Sequence, residues 1–377
     1  MVPVFFCFAV MGFIDITGVA TSYVKQDFQL SDRVANLLPG MTMIWFLLIS
    51  LPSAALMRVI GRKATVLASL AVMSVALALP LVAYDFTVVF AAFALLGIGN
   101  TILQVSLNPL LKNVLSDDKM TSALSFGQFV KSVVSLLGPI LIGTAAASTG
   151  NWTAIFYLYA AATAVALVWL WLTPVKREAL EVDKAGSRDS VFGLLADHYT
   201  RACFLVILMV VGFEICLTTV IPQYFMKAFG MSIEKSGVGC SVYYAAKTAG
   251  TFIGAVVLSK VSPVKFLRYT SLALCVAFVA YWTVEVLWVM YVIIFLIGLA
   301  GANAFAIALS LSMNRKPESS NDISALMMTG IAGGAVLPPV MGLVSDAVGL
   351  KAGLSVPFAA LCALVWASVY IGSRHGK

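Results

Sequence analysis

Charged residues are scarce in this 377-residue sequence. Asp, Glu, Lys and Arg together make up 11% of it, whereas hydrophobic residues make up 61% and the mean hydropathy is +0.99. Soluble domains carry about 25% charged residues. The composition therefore excludes a soluble globular domain and predicts a polytopic membrane protein. The long apolar runs also exclude an outer-membrane barrel, whose strands are alternating segments of roughly 10 residues.

Histidines are few, and paired cysteines are lacking. His198 and His375 fall in a loop and at the C-terminus, so they cannot build a metal centre or a hydrolase site within the membrane. The six cysteines lie in or beside apolar runs without CxxC spacing, which indicates buried thiols rather than a metal site or disulfides. Because no nucleophile–base constellation is visible, we expect neither enzyme activity nor a cofactor. The net charge of +7 is interpreted as membrane topology and not as nucleic-acid binding.

What the sequence does contain is twelve apolar runs, each long enough for a spanning helix of ~20 residues. The first run lacks a basic leader region and a cleavage site, so we expect it to be retained as a helix. The predicted fold class is an all-α polytopic membrane protein with twelve transmembrane helices. The runs cover residues 3–24, 34–57, 63–84, 87–111, 121–147, 152–173, 201–228, 236–259, 264–284, 287–313, 322–347 and 350–373.

Basic residues between the runs predict the orientation. If the N-terminus is cytoplasmic, seventeen Lys and Arg residues fall in inside loops and the C-terminal tail, and five fall in outside loops. Such an excess of positive charge inside is the usual topology signal. With an even number of spans, both termini are expected in the cytoplasm. The outside residues are Lys25, Arg33, Lys227, Lys235 and Lys351.

Two halves of six runs are also visible. The longest and most charged interruption, 174–200, separates them, and the sequence GPILIG at 138–143 is echoed by PPVMG at 338–342. Parallel six-helix halves are typical of major facilitator transporters. We therefore predict a major facilitator fold with an N-terminal half at 1–173, a cytoplasmic linker at 174–200 and a C-terminal half at 201–377.

Polar side chains inside the apolar runs are the candidate functional residues, because such groups are costly in lipid and normally face a cavity or a partner. Asp15 and Glu214 are the acids predicted to couple transport to protons or Na⁺. Three of the predicted binding residues are spaced by four in the fourth run and so share one helix face. The predicted substrate-binding residues are Asn100, Gln104, Asn108, Gln128, Lys131, Tyr243, Lys247 and Asn303.

Structural alternatives stay open for these residues. Glu214 could simply neutralise Lys247, and Asp15 could neutralise Lys131, since buried charges are usually paired. The Asn/Gln stripe could be interhelical hydrogen bonding, and Tyr243 could be packing. The basic loop after the second run could be a topology signal or a gate. Prolines are expected to kink or break the helices at positions 109, 139, 222, 338 and 339.

Five segments spread over nearly the whole chain form a recognisable set. They are GIGNTILQVSLNP (97–109), LSFGQFVKSVVSLLGP (124–139), VGFEICLTTVIPQYF (211–225), SVYYAAKTAGTFIGAVVLSKVSP (241–263) and IAGGAVLPPVMGLVSD (331–346). These segments resemble the fucose:proton symporter family of the major facilitator superfamily, which includes glucose/galactose transporters. The resemblance implies sugar transport by alternating access, and it places Gln128 and Glu214 at positions that the family uses.

The sequence departs from that family where a solute should bind. The family's acid of the fourth run is replaced by Gln104, which cannot carry a proton. Lysines at 131 and 247 and the lost acid favour an anionic sugar derivative by charge complementarity. A neutral hexose remains an alternative solute if both lysines are paired with carboxylates. The other departures are Thr251 for an Arg in the eighth run, Gly18 for the first-run acid and Arg58 for a loop Asp.

The sequence therefore predicts a cation-coupled importer of a sugar or an acidic sugar derivative. We expect an integral protein of the bacterial inner membrane that contacts lipid, takes a small-molecule solute, binds no nucleic acid and is a monomer. One alternative is an exporter of organic anions or drugs. An alternative of another class is a receptor or scaffold with a transporter fold that no longer transports.

Overall fold

The computed structural model describes residues 1–30, 37–115, 119–175, 191–231 and 238–374. Helix occupies each of the twelve predicted runs, so the predicted all-α class is confirmed. Helices α1 to α17 cover, in chain order, Val2–Met11, Thr17–Asp27, Leu37–Leu48, Ser50–Ile60, Arg62–Val82, Phe86–Lys112, Met120–Thr149, Ala154–Leu172, His198–Phe229, Val238–Val257, Pro263–Thr283, Leu287–Gly301, Ala304–Arg315, Ser320–Thr329, Gly333–Val348, Leu350–Gly353 and Ser355–Arg374.

Nine helices in the described part of the chain are long and apolar enough to cross a membrane. A tenth span is obtained if Met41–Leu48 and Ser50–Ile60, which meet at a bend of 59°, are taken as one. The first run contributes a shorter apolar helix, Val2–Ile16. The twelve predicted runs thus hold as helical stretches, and nine or ten of them meet the length and composition expected of a span.

Local chemistry sets several helix ends. The Asp85 side chain caps α6 by accepting a hydrogen bond from the backbone N–H of Val88 at 3.1 Å. Asp197 caps α9 in the same way, accepting from the backbone N–H of Thr200 at 3.3 Å. Such caps satisfy N–H groups that the first helical turn leaves free. At its other end α9 stops at Gly230, whose φ of 61° lies in the left-handed region that glycine adopts readily.

Three of the predicted runs are interrupted near their middle. A 3-10 turn at Gly12–Ile16 separates α1 from α2, and a second one at Gly330–Ala332 separates α14 from α15. Between α12 and α13 the break falls at Ala302 and Asn303. Breaks at membrane depth are tolerated only where the freed backbone groups find partners inside the protein. Asp15, one of the predicted coupling acids, lies in the first of these turns.

The prolines expected to break helices do not end them. Helix α6 continues through Pro109 and α9 through Pro222. Proline removes the N–H that would bond to the carbonyl four residues earlier. In α6 that carbonyl belongs to Val105, which accepts a hydrogen bond from Ser324 Oγ at 2.7 Å. The side chain of another helix therefore replaces the missing backbone donor.

The same replacement occurs in α9. The carbonyl of Thr218 loses its helical donor to Pro222, and Cys240 Sγ lies 3.3 Å from it as an S–H donor.

All six cysteines are free thiols, and Cys7, for example, is buried as expected. Cys362 is exposed on α17, so the expectation of a buried thiol is wrong there. It lies beside Cys275 of α11, with which it shares a side-chain hydrogen bond.

The chain divides into two compact units. Unit 1 consists of Met1–Ser116, Val130–Arg188 and Ser320–Met328. Unit 2 consists of Asp117–Phe129, Asp189–Ser319 and Thr329–Lys377. Each unit thus draws mainly on one half of the sequence and takes one short segment from the other half. Most of the predicted linker at 174–200 lies outside the described residues.

Close helix packing in unit 2 depends on small residues. A Cβ on Gly298 of α12 would lie 2.6 Å from the carbonyl oxygen of Tyr243 in α10. A Cβ on Gly250 would lie 2.9 Å from the carbonyl of Leu299. Spacings this short leave no room for a side chain, so the backbones of α10 and α12 are in direct contact. We call this contact the α10–α12 seam.

Candidate functional site

Asp15 and Lys131 come together in unit 1. Asp15 lies in the 3-10 turn of the first span and Lys131 lies on α7. Lys131 Nζ is 3.9 Å from Asp15 Oδ2, and the side chains are 21% and 32% exposed, respectively. Ser135, one turn after Lys131, donates from Oγ to the same carboxylate oxygen at 2.5 Å. Ser135 is not among the residues predicted from the sequence, although its spacing of four from Lys131 places both on one helix face.

An aromatic pair lies beside this carboxylate. The ring of Phe13, in the same 3-10 turn, stacks on Tyr159 of α8 with centroids 3.9 Å apart. The Tyr159 hydroxyl is buried and has no hydrogen-bond partner among the described residues. A Cβ on Gly138 would lie 3.6 Å from that hydroxyl, and Gly138 is three residues after Ser135 on α7. The unpartnered hydroxyl is therefore in the same corner as the Asp15–Ser135 hydrogen bond. No sequence signal singled out Tyr159.

Glu214 and Lys247 form the corresponding pair in unit 2. Lys247 Nζ on α10 lies 2.5 Å from Glu214 Oε1 on α9. The side chains are 27% exposed for Lys247 and 16% for Glu214. The distance is that of a charge-assisted hydrogen bond, so this pair is tighter than the pair in unit 1. The pairing that the sequence left open is present, and both groups stay partly accessible.

The predicted polar stripe of α6 lies inside unit 1. Asn100, Gln104 and Asn108 are all buried. Asn108 Nδ2 donates to the backbone carbonyl of Gln104 at 2.6 Å, so this amide is engaged within its own helix. Neither amide atom of Asn100 has a partner among the described residues. Buried polar groups normally have partners. Both amide atoms of Asn100, and Oδ1 of Asn108, are thus left without a partner among the described residues.

Asn303 and Tyr243 lie in the interior of unit 2. Asn303 sits in the break between α12 and α13 and donates from Nδ2 to the carbonyl of Gly250 at 2.8 Å. Tyr243 is buried in an apolar cluster, and its ring packs edge-on against Tyr244 with centroids 5.4 Å apart. The Asn303 hydrogen bond links the break after α12 to α10, and Tyr243 packs in the apolar interior. A contact of either residue with solute stays a prediction.

Gln128 is half-buried on α7, three residues before Lys131. The boundary between the compact units falls between the two, since unit 2 takes Asp117–Phe129 and unit 1 resumes at Val130. The predicted shared face of Gln128 and Lys131 is therefore divided over two units.

The basic loop after the second run builds a polar cluster in unit 1. Arg58 forms an ion pair with Asp322 of α14. Arg62 donates from Nε to Asn321 Oδ1 at 2.7 Å and from Nη2 to Ser320 Oγ at 2.7 Å. An arginine fork used in this way fixes the start of α14 against the loop. The loop thus has structural contacts within unit 1, and its role as a gate stays a prediction.

A cavity of about 490 Å³ opens at helix ends of unit 2. Tyr224, Lys227, Glu285 and Lys351 are among its lining residues. None of the predicted site residues lines it, so it is separate from the Glu214–Lys247 pair. Clusters of three or more metal-ligating side chains are not found in the described part of the chain.

Known proteins resemble this chain in sequence and in fold. The family model of the Major Facilitator Superfamily matches residues 3–329 and 202–377. The glucose/galactose transporter of Brucella abortus is 24% identical over 376 residues, covering 93% of this chain and 88% of that protein.

Two solved structures share the fold. The Escherichia coli fucose:proton symporter FucP matches with a TM-score of 0.85 at 16% identity, over 98% of both chains. The human organic anion transporter MFSD10 matches with a TM-score of 0.75 at 15% identity, over 97% of this chain and 98% of that one. The predicted resemblance to fucose:proton symporters and the expectation of a transporter rather than an enzyme are confirmed. Because the family model covers most of its length, the chain belongs to the Major Facilitator Superfamily.

Proposed function

We propose that this protein is a secondary active transporter that imports a sugar by alternating access, driven by a proton gradient. The observation that carries the proposal is one carboxylate–lysine pair inside each compact unit, partly exposed in both. Charged groups at membrane depth are costly and mark pathways for solutes or ions. The printed names of the relatives, a glucose/galactose transporter and a fucose:proton symporter, point to the same solute class.

A neutral hexose is the favoured solute. Lysines 131 and 247 would favour an anion only if they were free, and each has a carboxylate as its partner. Each pair is neutral overall. A sugar that carries no charge can bind beside such pairs without leaving an uncompensated charge in the membrane. Asn100, which is fully buried and whose amide has no partner among the described residues, would offer a donor and an acceptor to sugar hydroxyls once a cavity opens beside it.

The coupling ion follows from the same two pairs. Carboxylate oxygens are suitable ligands for Na⁺, but an ammonium group lies 3.9 Å from Asp15 and 2.5 Å from Glu214. A sodium ion needs several oxygen ligands, and the lysine occupies part of the space around each carboxylate. A proton needs only one carboxylate oxygen. Proton coupling is therefore favoured over Na⁺ coupling, and the carboxylates of Asp15 and Glu214 are the groups that could carry it.

An acidic sugar or another organic anion is the second candidate solute. The 3.9 Å separation in unit 1 is longer than a direct hydrogen bond, so an anion could compete with Asp15 for Lys131. The structural similarity to a human organic anion transporter agrees with this class. The two candidates differ in the charge that the solute brings, and transport assays separate them directly.

The proposed location is the inner membrane, with both termini in the cytoplasm and a monomeric protein. The predicted halves, 1–173 and 201–377, would move about a solute held at the middle of the membrane, with 174–200 as the connecting linker. The excess of basic residues in the inside loops supports this orientation. Accessibility of cysteines introduced at Arg33 and Lys260 to an impermeant maleimide tests it, because the two positions are expected on opposite sides.

Uptake into proteoliposomes tests the function. Radiolabelled glucose, galactose and fucose are compared with gluconate and glucuronate under an inward proton gradient, an inward Na⁺ gradient and no gradient. We expect proton-driven accumulation of a neutral hexose, and accumulation should be lost in Asp15→Asn. If none of these solutes accumulates under any gradient, the proposal fails. Anion efflux driven by the proton gradient would support an exporter. A receptor or scaffold would be supported if no solute is transported and a Glu214→Gln/Lys247→Met double variant keeps the wild-type cellular activity.

A further inference from the structure

We propose that the cavity at the helix ends of unit 2 binds a small organic anion, a carboxylate or phosphate group carried on a ring-shaped or apolar body. Lys227 and Lys351 hold the anionic group, and Phe229 packs against the body. The inference goes beyond the proposed function, because it concerns a second site and does not depend on which solute is transported. Only the statement that this site faces outward rests on the proposed orientation.

Three separate parts of the chain meet at this cavity. They are the last turns of α9 from Tyr224 to Phe229, Glu285 in the connection between α11 and α12, and the turn from Val348 to Ala352 that joins α15 to α16. The cavity measures about 490 Å³. Sites for small molecules usually measure ~300–1,000 Å³. The size of the cavity therefore suits one small organic molecule.

The cavity lies far from the carboxylate–lysine pair of the same unit. Tyr224 follows Glu214 by ten residues on the continuous helix α9. With a rise of ~1.5 Å per residue, the two backbone positions are separated by about 15 Å along the helix axis. A molecule of one ring in the cavity therefore does not reach Glu214, and the two positions are distinct sites.

The charges around the cavity leave one lysine uncompensated. Lys351 forms an ion pair with Glu285. A hydrogen bond from Lys351, together with its positive charge, holds the pKa of Glu285 below the usual value, so this carboxylate is ionised at neutral pH. Lys227 has no carboxylate partner among the described residues. Two ammonium groups and one carboxylate thus give the lining a net positive charge, which attracts an anion.

A buried hydroxyl belongs to the same lining. Tyr224 is 4% exposed, and its hydroxyl has no hydrogen-bond partner among the described residues. It is close enough to the Lys351 ammonium for the two groups to interact electrostatically, so it lies on the charged side of the cavity. Buried hydroxyls normally have partners. An anion bound to Lys351 is the acceptor that would satisfy this one.

The rest of the lining is largely apolar and includes Phe229, Val348 and Leu350. The Phe229 ring packs edge-on against Tyr224, with centroids 6.3 Å apart. An inorganic anion gains nothing from apolar walls, whereas a ring or a short apolar chain is removed from water against them. A neutral molecule of the same shape would leave Lys227 uncompensated. The occupant is therefore an organic anion.

Calorimetric titration of the full chain in phosphatidylcholine nanodiscs tests the site. The probes are benzoate and glucuronate as ring-shaped anions, glucose as a neutral ring, and inorganic phosphate as an anion without an organic body. The binding that is lost in Lys227→Gln is assigned to the cavity. We expect the two acids to bind there about tenfold more tightly than glucose or phosphate, and added salt should weaken their binding.

Two substitutions of opposite effect separate binding from a structural role. Lys227→Gln should weaken binding of both acids about tenfold or more, because a charge-assisted contact is lost. Glu285→Gln should tighten binding severalfold, because its carboxylate no longer competes with the ligand for Lys351. Tyr224→Phe should weaken binding about threefold, since a hydrogen-bond donor is removed.

Two controls locate the binding. Lys265→Gln removes the charge of an exposed lysine of unit 2 that lies outside the cavity. Lys247→Met alters the pair at Glu214. Both variants should bind the acids as the wild type does. A loss of binding in Lys247→Met that matches the loss in Lys227→Gln would place the acids at the pair and overturn the inference.

Two sources could supply the anionic group, a dissolved solute or the phosphate of an anionic lipid. Native mass spectrometry of protein from nanodiscs with equal parts of phosphatidylcholine and phosphatidylglycerol counts the lipids that stay bound. A phosphatidylglycerol retained by the wild type and lost in Lys227→Gln identifies a lipid headgroup as the source. Equal retention, together with binding of the acids, identifies a dissolved solute.

The inference is overturned if neither acid binds, if glucose binds in the cavity as tightly as the acids, or if Lys227→Gln binds like the wild type. A lysine that only compensates the carbonyls at the end of α9 would give the last result with a lowered melting temperature. If Lys227→Gln does not fold, Glu285→Gln decides, because unchanged affinity refutes the site. Sugar accumulation in proteoliposomes is measured separately, so failure of the site leaves the proposed function intact.

Discussion

Ser324 Oγ donates to the backbone carbonyl of Val105 at 2.7 Å, and that carbonyl is the one that Pro109 deprives of its helical donor. Ser324→Ala should leave a buried carbonyl unsatisfied and lower the free energy of unfolding by about 1–3 kcal/mol. Thermal melting of the purified protein in detergent measures this. Ser312→Ala, whose hydroxyl bonds to a carbonyl of its own helix, is the control.

The replacement mechanism can be tested in the same assay. Pro109→Ala restores a backbone N–H to α6, so the helical bond to Val105 can form again. In that background, Ser324→Ala should cost less than in the wild type, with an interaction energy of about 1 kcal/mol in a double-mutant cycle. Equal costs in both backgrounds would show that the two residues act independently.

The Glu214–Lys247 pair predicts an asymmetric cost of mutation. Lys247→Met leaves a carboxylate without its partner and should destabilise the protein by about 2 kcal/mol, reduced from buried-pair values because the side chains are partly exposed. Glu214→Gln/Lys247→Met removes both charges and should recover most of that loss. Melting temperatures of the wild type, Glu214→Gln, Lys247→Met and the double variant complete a double-mutant cycle for this pair. A double variant no more stable than Lys247→Met would contradict the interpretation.

The glycine at position 254 should not tolerate a side chain. A Cβ there would overlap the side-chain amide of Asn303, which is held by the carbonyl of Gly250. Gly254→Ala should therefore destabilise by about 1–3 kcal/mol, although alanine normally favours helix. Gly342→Ala is the matched control in a helix of the same unit, because its Cβ would meet nothing within 4 Å. Chemical denaturation of both variants distinguishes a packing effect from a propensity effect.

The cap of α9 predicts a pH-dependent stability. Burial acts to raise the pKa of Asp197, but hydrogen bonds from the Thr200 side chain and from the backbone N–H groups of Tyr199 and Thr200 outweigh it and hold the pKa below the usual value. The stabilisation by the ionised cap is thus present above pH ~4 and is lost as the pH falls through the folded-state pKa. Asp197→Ala should cost about 1 kcal/mol at pH 7.

Melting curves at pH 7 and near pH 3 test this cap. The difference between the wild type and Asp197→Ala should shrink at the lower pH, because the wild-type carboxylate is then neutral. Asp197→Asn retains an accepting oxygen without a charge, so its effect should vary little with pH. A gap between the wild type and Asp197→Ala that is constant across the range would contradict the assignment.

Much of the fold was predictable because lipid imposes simple rules on sequence. A span needs a long apolar run, and each of the twelve runs proved to be helical. The interruptions were not predictable from the same pattern. The sequence pointed to prolines such as Pro109, where the helix continues because another helix supplies a donor. It gave no sign of the 3-10 turn at Gly12–Ile16, which depends on packing against distant residues.

Some residues of the candidate site could likewise be predicted from the sequence, and others could not. Residue type alone identified Asp15, Lys131, Glu214 and Lys247, since charges in apolar runs are rare. The partners of these charges depend on the distance between helices, so the tighter of the two pairs could not be foreseen. Tyr159 was missed because a tyrosine in an apolar run is unremarkable until its hydroxyl is found without a partner.

The 3-10 turn that carries Asp15 also changes how the first span fits the bilayer. Five residues rising ~2.0 Å each cover about 10 Å, whereas the same residues in an α-helix would cover about 7.5 Å. The unwound segment therefore gives the first span extra reach without extra residues. Conversion of this segment to α-helix would shorten it by about 2.5 Å, so the depth of the Asp15 carboxylate is tied to the kind of helical turn that carries it.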